Sequence, residues 1–436
     1  MRKLGKAWFE EASRPLDPGL VHQLRKRRKR GGDGRDEAVP VIIRFKREAE
    51  EEKRKDVLRR CRKRSCDSIG GEIRLLNGCY GRLHPDTIRD LTDHEGVFRI
   101  YYDREVHAFL DVASKTTRSF EVHDRLGFTG KGVTIAVIDT GIHPHGDLTK
   151  PDNRIIAFAD LVGNREEAYD DHGHGTHCAG DAAGGGYHSE GLYVGPAPEA
   201  NLVGVKVLDA EGGGRLSTVI RGVEWCVEHK EELGIRILSL SLGAPAYESY
   251  RDDPLCHAVE RAWHSGLVVC AAAGNEGPEP LMISTPGIDP VILTVGAADD
   301  RNTPDRSDDE KAPFSSRGPT IDQLVKPDVY APGADIVSLS APGSTLEELL
   351  PENRVGEHYI HLSGTSMATP ICAGVVALML EANPYLSPND VKSILMSTAQ
   401  PMAGDQAGYL DARKAVDMAR AYLEFQRPKV SGGATG

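Results

Sequence analysis

Five short segments set the strongest limit on how this chain folds. GVTIAVID (132–139), ANLVGVKVLD (200–209), IRILSLSLG (235–243), LVVCAAAGN (267–275) and VILTVGA (291–297) are nearly continuous apolar runs without the alternation of a half-exposed strand. Such strands are buried on both faces, as in a parallel sheet covered by helices. The intervening segments LSTVIRGVEWCVEHK and PLCHAVERAWHSG supply those helices, with apolar residues such as Val219, Val223 and Cys226 at i, i+4, i+7. The expected class is α/β with a mostly parallel sheet. A content of 39% hydrophobic residues with 47 Gly and 26 Pro in 436 excludes disordered, collagen-like and coiled-coil classes for the bulk of the chain.

The region ahead of these strands has a different texture. Residues 1–70 hold 22 Lys+Arg and 12 Asp+Glu, a net of +10, so a chain of net charge −12 carries −22 on residues 71–436. Residues 1–38, with RKRRKR at 25–30, read as a basic flexible arm with marginal helical character. Residues 39–110 read as a small α+β domain. Its expected elements are a strand at AVPVIIRF, a helix near 48–64, a strand at EIRLLNGCYGRL, a helix opened by Pro85 and Asp86, and one or two strands in VFRIYYDREVHAFL. A polar linker at 111–119, the α/β domain at 120–425 and a flexible tail at 426–436 complete the division. No apolar core with a cleavage site marks the first 30 residues, and ICAGVVALML (371–380) falls short of the roughly 20 residues a spanning helix needs. Eight cysteines without a CxxC pair suit reduced thiols, so a cytoplasmic protein without membrane attachment is expected.

In an open parallel sheet, chemistry collects at the carboxyl ends of strands. TIAVID ends in Asp139, a carboxylate that is costly to bury without a cation or imidazole; on its own, Asp-Thr-Gly reads first as a capped turn. DDHGHGTHCAG (170–180) contains His172, His174 and His177 but lacks the His pair at i, i+4 with an intervening Glu that marks a zinc helix. Its glycines suit a turn entering a helix that presents one imidazole. In HLSGTSMATPICAGVVALML (361–380), Ser366 stands where a serine is ordinarily an N-cap. The same position sets a hydroxyl and a backbone N–H at the positive end of a helix, where a developing oxyanion is stabilised. His174, oriented by Asp139, is then the base such a hydroxyl needs.

Jointly, DTGIHPH, HGTHCAG and GTSMATP, in the order Asp…His…Ser, resemble the subtilisin-like serine peptidases, or subtilases, over residues 120–425. The resemblance implies a three-layer α/β/α fold and a serine endopeptidase acting through an acyl-enzyme, with Ser366 as nucleophile, His174 as base then acid, and Asp139 fixing the His tautomer. By the same similarity Asn275, in VVCAAAGNEGP, donates to the oxyanion. Ser241, Leu242 and Gly243 form one wall of the specificity pocket, Ala271, Ala272 and Gly274 the other, and Gly212, Gly213 and Gly214 a strand facing an extended peptide. These uncharged walls imply apolar or aromatic P1 residues, with Ala244 narrowing the pocket.

Cys178 resembles the thiol-bearing branch of the family and reads as a small buried hydrophobe. The chemistry requires no cofactor, and no metal ligand is assigned. A structural calcium ion near Asp147 is left open, since GGGYHSEGLY (184–193) lacks the Asn-rich set expected of it. The small domain resembles a propeptide that inhibits the enzyme intramolecularly, with autocleavage expected within 111–122. EANLVGVKVL, GVEWC and APFSSRGPT resemble the intracellular AprX-type branch. The expected partners are polypeptide substrates and the chain's own N-terminal domain, rather than nucleic acid. A catalytically silent peptide-binding pseudo-peptidase is the alternative.

Overall fold

The computed structural model describes residues 8–10, 15–30, 38–46, 51–62, 64–103, 105–108, 116–301, 303 and 306–426. It opens with α1 (Pro18–Arg30), β1 (Val39–Phe45), α2 (Glu51–Arg60), β2 (Ser68–Ile73), β3 (Gly78–Leu83), α3 (Pro85–Thr92) and β4 (Val97–Tyr102). The strands form an antiparallel sheet in the order β2-β3-β1-β4. Alternation along β1 divides its side chains between two cores. Val39, Val41 and Ile43 pack with Leu20, Val57, Ile88 and Leu91 inside the small domain, whereas Ile42, with Ile73, Leu76 and Tyr101, joins the core of the large domain.

Two sequence expectations change here. The described part of 1–38 is not a free arm: α1 buries Leu20 and Leu24, one turn apart, and Asp17 accepts hydrogen bonds from Gly19 N, Leu20 N and Tyr102 N. The basic run conceals that short apolar ridge. EIRLLNGCYGRL is also not one strand, because a 3₁₀ turn at Arg74–Leu76 and left-handed Asn77 reverse the chain between β2 and β3.

After β4 the chain leaves the small sheet. Among the described residues, strand β5 (Glu105–Ala108) pairs only with strands of the large domain. Helix α4 (Ser119–Leu126) follows, and the large domain then supplies β6 (Thr134–Asp139), α5 (Gly146–Thr149), β7 (Ile155–Asp160), α6 (His174–Ala183), β8 (Asn201–Lys206), β9 (Gly213–Arg215), α7 (Leu216–Leu233), β10 (Ile235–Leu240) and β11 (Leu242–Gly243). Next come α8 (Pro254–His264), β12 (Val268–Ala272), β13 (Leu293–Asp299), β14 (Glu310–Lys311), β15 (Val329–Pro332), β16 (Ile336–Leu339), α9 (Thr345–Leu349), β17 (Arg354–Val355) and β18 (Tyr359–Leu362). The chain closes with α10 (Thr365–Ala382), α11 (Pro388–Thr398), β19 (Gln400–Pro401), β20 (Gly408–Tyr409) and α12 (Ala412–Gln426).

The apolar runs form the parallel core β7-β8-β6-β10-β12-β13-β15-β20, with β14 and β19 antiparallel at its margins. Helices α7 and α8 pack together on one side, and α6 and α10 on the other, giving the α/β/α layers. Among the described residues one helix, α10, is long and apolar enough by composition to cross a membrane, and it is almost wholly buried within the protein. Polar contacts join the domains: Arg99 pairs with Glu248 (3.0 Å) and Asp252 (2.8 Å), and Leu75 N donates to Glu224 (2.6 Å). Asp103 accepts from both the N–H and the hydroxyl of Ser217, in the first turn of α7.

Candidate active site

Asp139 is the last residue of β6 and has no exposed surface. Its Oδ1 accepts from Thr140 N at 2.7 Å and lies 2.7 Å from His174 Nδ1, so it serves both the turn and the imidazole. His174 opens α6. This close approach of strand end and helix start depends on Gly175, where a Cβ would stand 2.2 Å from Gly141 O.

Asp170, which no motif singles out, holds the entry to α6. Its carboxylate accepts from Thr140 Oγ1 (2.9 Å), Gly173 N (2.8 Å), and Thr176 N and Oγ1 (2.8 and 2.6 Å). Burial opposes its charge, but these donors outweigh burial and lower its pKa. The one sequence signal for it is an Asp three residues before Gly173 at a helix start.

Ser366 lies in the first turn of α10 and is not its cap: Gly364 holds the N-cap position without any side-chain bond. The serine Oγ donates to Ser241 O at 3.1 Å, and Ser241 Oγ returns a bond to Ser366 O at 2.7 Å. Cys178 joins the two helices, its Sγ 3.5 Å from Ser366 O and 4.0 Å from His174 Nε2. The structure therefore brings Asp139, His174 and Ser366 into one fully buried cluster. Burial disfavours the His174 imidazolium, yet the Asp139 carboxylate and its hydrogen bond prevail, and the pKa stands well above the ordinary histidine value. Burial pushes the Cys178 thiol up to about 12, which leaves it protonated and unreactive.

Asn275 sits beyond β12, and its Oδ1 accepts from Thr365 N (2.9 Å) and Thr365 Oγ1 (3.1 Å). Anchoring the oxygen on the residue beside Ser366 leaves the Nδ2 end of the amide to donate. With Ser366 N at a helix start, the site holds two N–H donors, an imidazole with a carboxylate behind it, and a hydroxyl. That set can move a proton and stabilise an oxyanion.

The recognition side is made of backbone. Leu242 and Gly243 form β11, immediately after Ser241, and Gly213 and Gly214 lie in β9, immediately after Gly212. Strand β5 fills the space between them as the middle of a three-stranded antiparallel sheet, with Leu242↔Ala108, Gly243↔His107, His107↔Gly213 and Val106↔Gly214. Ala271 and Ala272 end β12, both without exposed surface, and Ala271 packs in the central core as Leu242 does. Gly274 lies just past the strand and donates to Thr365 Oγ1 at 3.2 Å. Ala244 is fixed to Thr285 by reciprocal backbone bonds of 3.1 and 2.9 Å.

Asp147 does not fit a calcium site. One carboxylate oxygen accepts from His188 N (3.1 Å) and the other from Tyr359 OH (2.9 Å), while Arg154 Nη2 donates to its main-chain oxygen at 2.5 Å. Calcium takes six to eight oxygen ligands, and here both carboxylate oxygens and the main-chain oxygen of Asp147 already accept hydrogen bonds, the last from a guanidinium. The expected processing segment is only partly in view, since residues 111–115 lie outside the described residues. The end of that segment is no linker: Thr116 and Thr117 are buried, with Thr116 Oγ1 2.6 Å from Tyr409 OH.

A family model described as Subtilase family matches residues 130–420. Serine protease AprX of Bacillus subtilis (strain 168) is 50% identical over 327 residues, 73% of this chain and 73% of the relative. Subtilisin E of the same strain is 31% identical over 334 residues, 75% of this chain and 77% of the relative. Fervidolysin from Fervidobacterium pennivorans, a keratinolytic enzyme related to subtilisin, shares the fold with a TM-score of 0.67 at 21% identity. That match covers 89% of this chain and 62% of the fervidolysin chain.

Proposed function

The chain belongs to the subtilase family and is a serine endopeptidase, and from that premise we propose that Asp139, His174 and Ser366 are its triad and that its N-terminal domain is an inhibitor removed by self-cleavage. The observation that carries this reading is β5, which lies in the cleft as a peptide substrate would, between the backbones of β9 and β11.

In the reaction Ser366 Oγ turns from Ser241 O toward His174 and attacks the substrate carbonyl carbon. His174 takes the hydroxyl proton, and Asp139 stabilises the resulting imidazolium. Ser366 N–H and Asn275 Nδ2 hold the tetrahedral oxyanion. When the C–N bond breaks, His174 passes its proton to the leaving amine, and the acyl-Ser366 ester remains. A water molecule, deprotonated by His174, hydrolyses that ester and restores the serine. Leu242, Gly243, Ala272 and Gly274 would wall a pocket without fixed charge, which favours apolar or aromatic P1 residues. Eight free cysteines, seven of them buried, support a reducing, cytoplasmic setting.

Hydrolysis is expected within 111–122, the stretch between the small domain and the start of the subtilase-like region. Cleavage of peptide series with Phe or Leu against Lys or Arg at P1 tests the pocket. A strong preference for the basic series would overturn it.

A further inference from the structure

We propose that Lys206 is a positioning residue for peptide-bond hydrolysis: its buried ammonium clamps the turn that carries Asp139 and the approach to His174. The proposal rests on the triad assigned above and names what holds two of its members in place. Lys206 ends β8 as Asp139 ends β6, and the two strands are parallel neighbours with these residues paired in register. Paired residues of adjacent strands share a face of the sheet, so the cation and the carboxylate emerge side by side at the carboxyl edge.

All three ammonium donors are used. Lys206 Nζ donates to Thr140 O (2.6 Å), Asp171 Oδ1 (2.6 Å) and Leu208 O (2.8 Å), and it lies 5.2 Å from the centre of the Tyr169 ring. Thr140 is the residue whose N–H holds Asp139 Oδ1, and the main-chain oxygen of Asp139 is in turn gripped by Val207 N (2.8 Å) and Leu208 N (3.2 Å). Both carbonyls of the Asp139–Thr140 turn are thus fixed by the end of β8. Asp171 lies three residues before His174, so the same ammonium ties the approach to α6 to that turn.

Packing alone does not account for a lysine here. An ammonium side chain with 1% of its surface exposed has lost its hydration, and an apolar side chain would fill the space without that cost. The charge instead anchors a short chain of bonds that ends at Asp139, whose second oxygen, Oδ2, is buried and has no hydrogen-bond partner among the described residues. With Oδ1 alone serving both Thr140 N and the imidazole, the carboxylate stays aimed only if the turn behind it cannot move. The recognition strand does not depend on this clamp: Asp209 Oδ1 holds the loop before β9 by accepting from Glu211 N (3.1 Å) and Gly213 N (2.9 Å). Loss of Lys206 should therefore fall on kcat and leave KM nearly unchanged.

The test compares the matured Lys206→Met enzyme with the wild type, beside Ser366→Ala as the inactive reference. A misplacement of about 1 Å can cost about 10²-fold, so kcat should fall by about 10- to 100-fold. In full chains that also carry Ser366→Ala, the low-field NMR resonance of the His174 Nδ1 proton shared with Asp139 should move upfield when Lys206 is replaced. Asp171→Ala, at a partly exposed carboxylate, should shift both readouts in the same direction, and Asp171→Asn, which keeps an oxygen for the ammonium, should restore most of kcat. That pair decides the matter if Lys206→Met does not fold. Unchanged kcat with an unmoved resonance would overturn the clamp, as would a rise in KM at constant kcat. Activity surviving in Ser366→Ala would instead overturn the triad on which the proposal rests.

Discussion

The two halves of the cleft are built from different materials. On the chemical half, every functional group except one main-chain N–H is a side chain, and Asp139, His174 and Ser366 have no exposed surface. Each is held by a buried neighbour: Asp139 by Thr140 N, His174 by Asp139 and Ser366 by Ser241 O, while Asn275 is anchored on Thr365. On the recognition half, the groups are the N–H and C=O of β9 and β11, and the strand between them comes from another domain. Chemistry is therefore lost by changing one atom set, whereas recognition is lost by displacing a strand.

Changes on the chemical half should be far the larger. Ser366→Ala is expected to lower kcat by about 10⁶-fold, the scale seen for the corresponding serine of subtilisin, with labelling by a fluorophosphonate abolished. Asp139→Asn should cost about 10⁴-fold, again a subtilisin-scale figure, and should also move the pH profile. Because the Asp139 charge holds the folded His174 pKa above its ordinary 6.5, the imidazolium's contribution to stability is complete below that value. It is lost as pH rises through the raised pKa, and kcat/KM should rise over the same interval. In Asp139→Asn the midpoint of that rise should fall; an unmoved midpoint would detach His174 from Asp139. Asn275→Ala should lower kcat by about 10²–10³-fold with KM nearly unchanged, a scale likewise measured in subtilisin.

The recognition half should respond more gently. Asp103→Ala removes the hydrogen bonds that fasten the small domain to Ser217 at the start of α7, at a cost of about 1–2 kcal/mol, or roughly 5–30-fold in the hold on the cleft. The lag before activity appears in a progress curve should shorten accordingly, with the final kcat unchanged. An altered kcat would mean that the small domain does more than cover the site.

The same division explains which features are legible in the amino-acid sequence. Side-chain chemistry leaves motifs, so Asp139, His174, Ser366 and Asn275 stand out in DTG, HGTH, GTS and AAGN. The parallel sheet is legible because strands buried on both faces lose alternation. Backbone recognition leaves almost no mark: DREVHAFL reads as a strand, but nothing local says that it pairs with residues more than 100 positions away. Small turns are hidden for a related reason. The reversal at Arg74–Leu76 is a 3₁₀ turn with Asn77 in a left-handed conformation, inside an otherwise strand-like run.

The direct test of the account is the mass and new N-terminus of the chain as it matures, compared with Ser366→Ala. The wild-type protein should separate into two pieces, with a residue from 111–122 at the head of the larger one, while the Ser366→Ala chain stays whole. Identical processing of both chains would contradict the claim that β5 lies in the cleft as the enzyme's own first substrate.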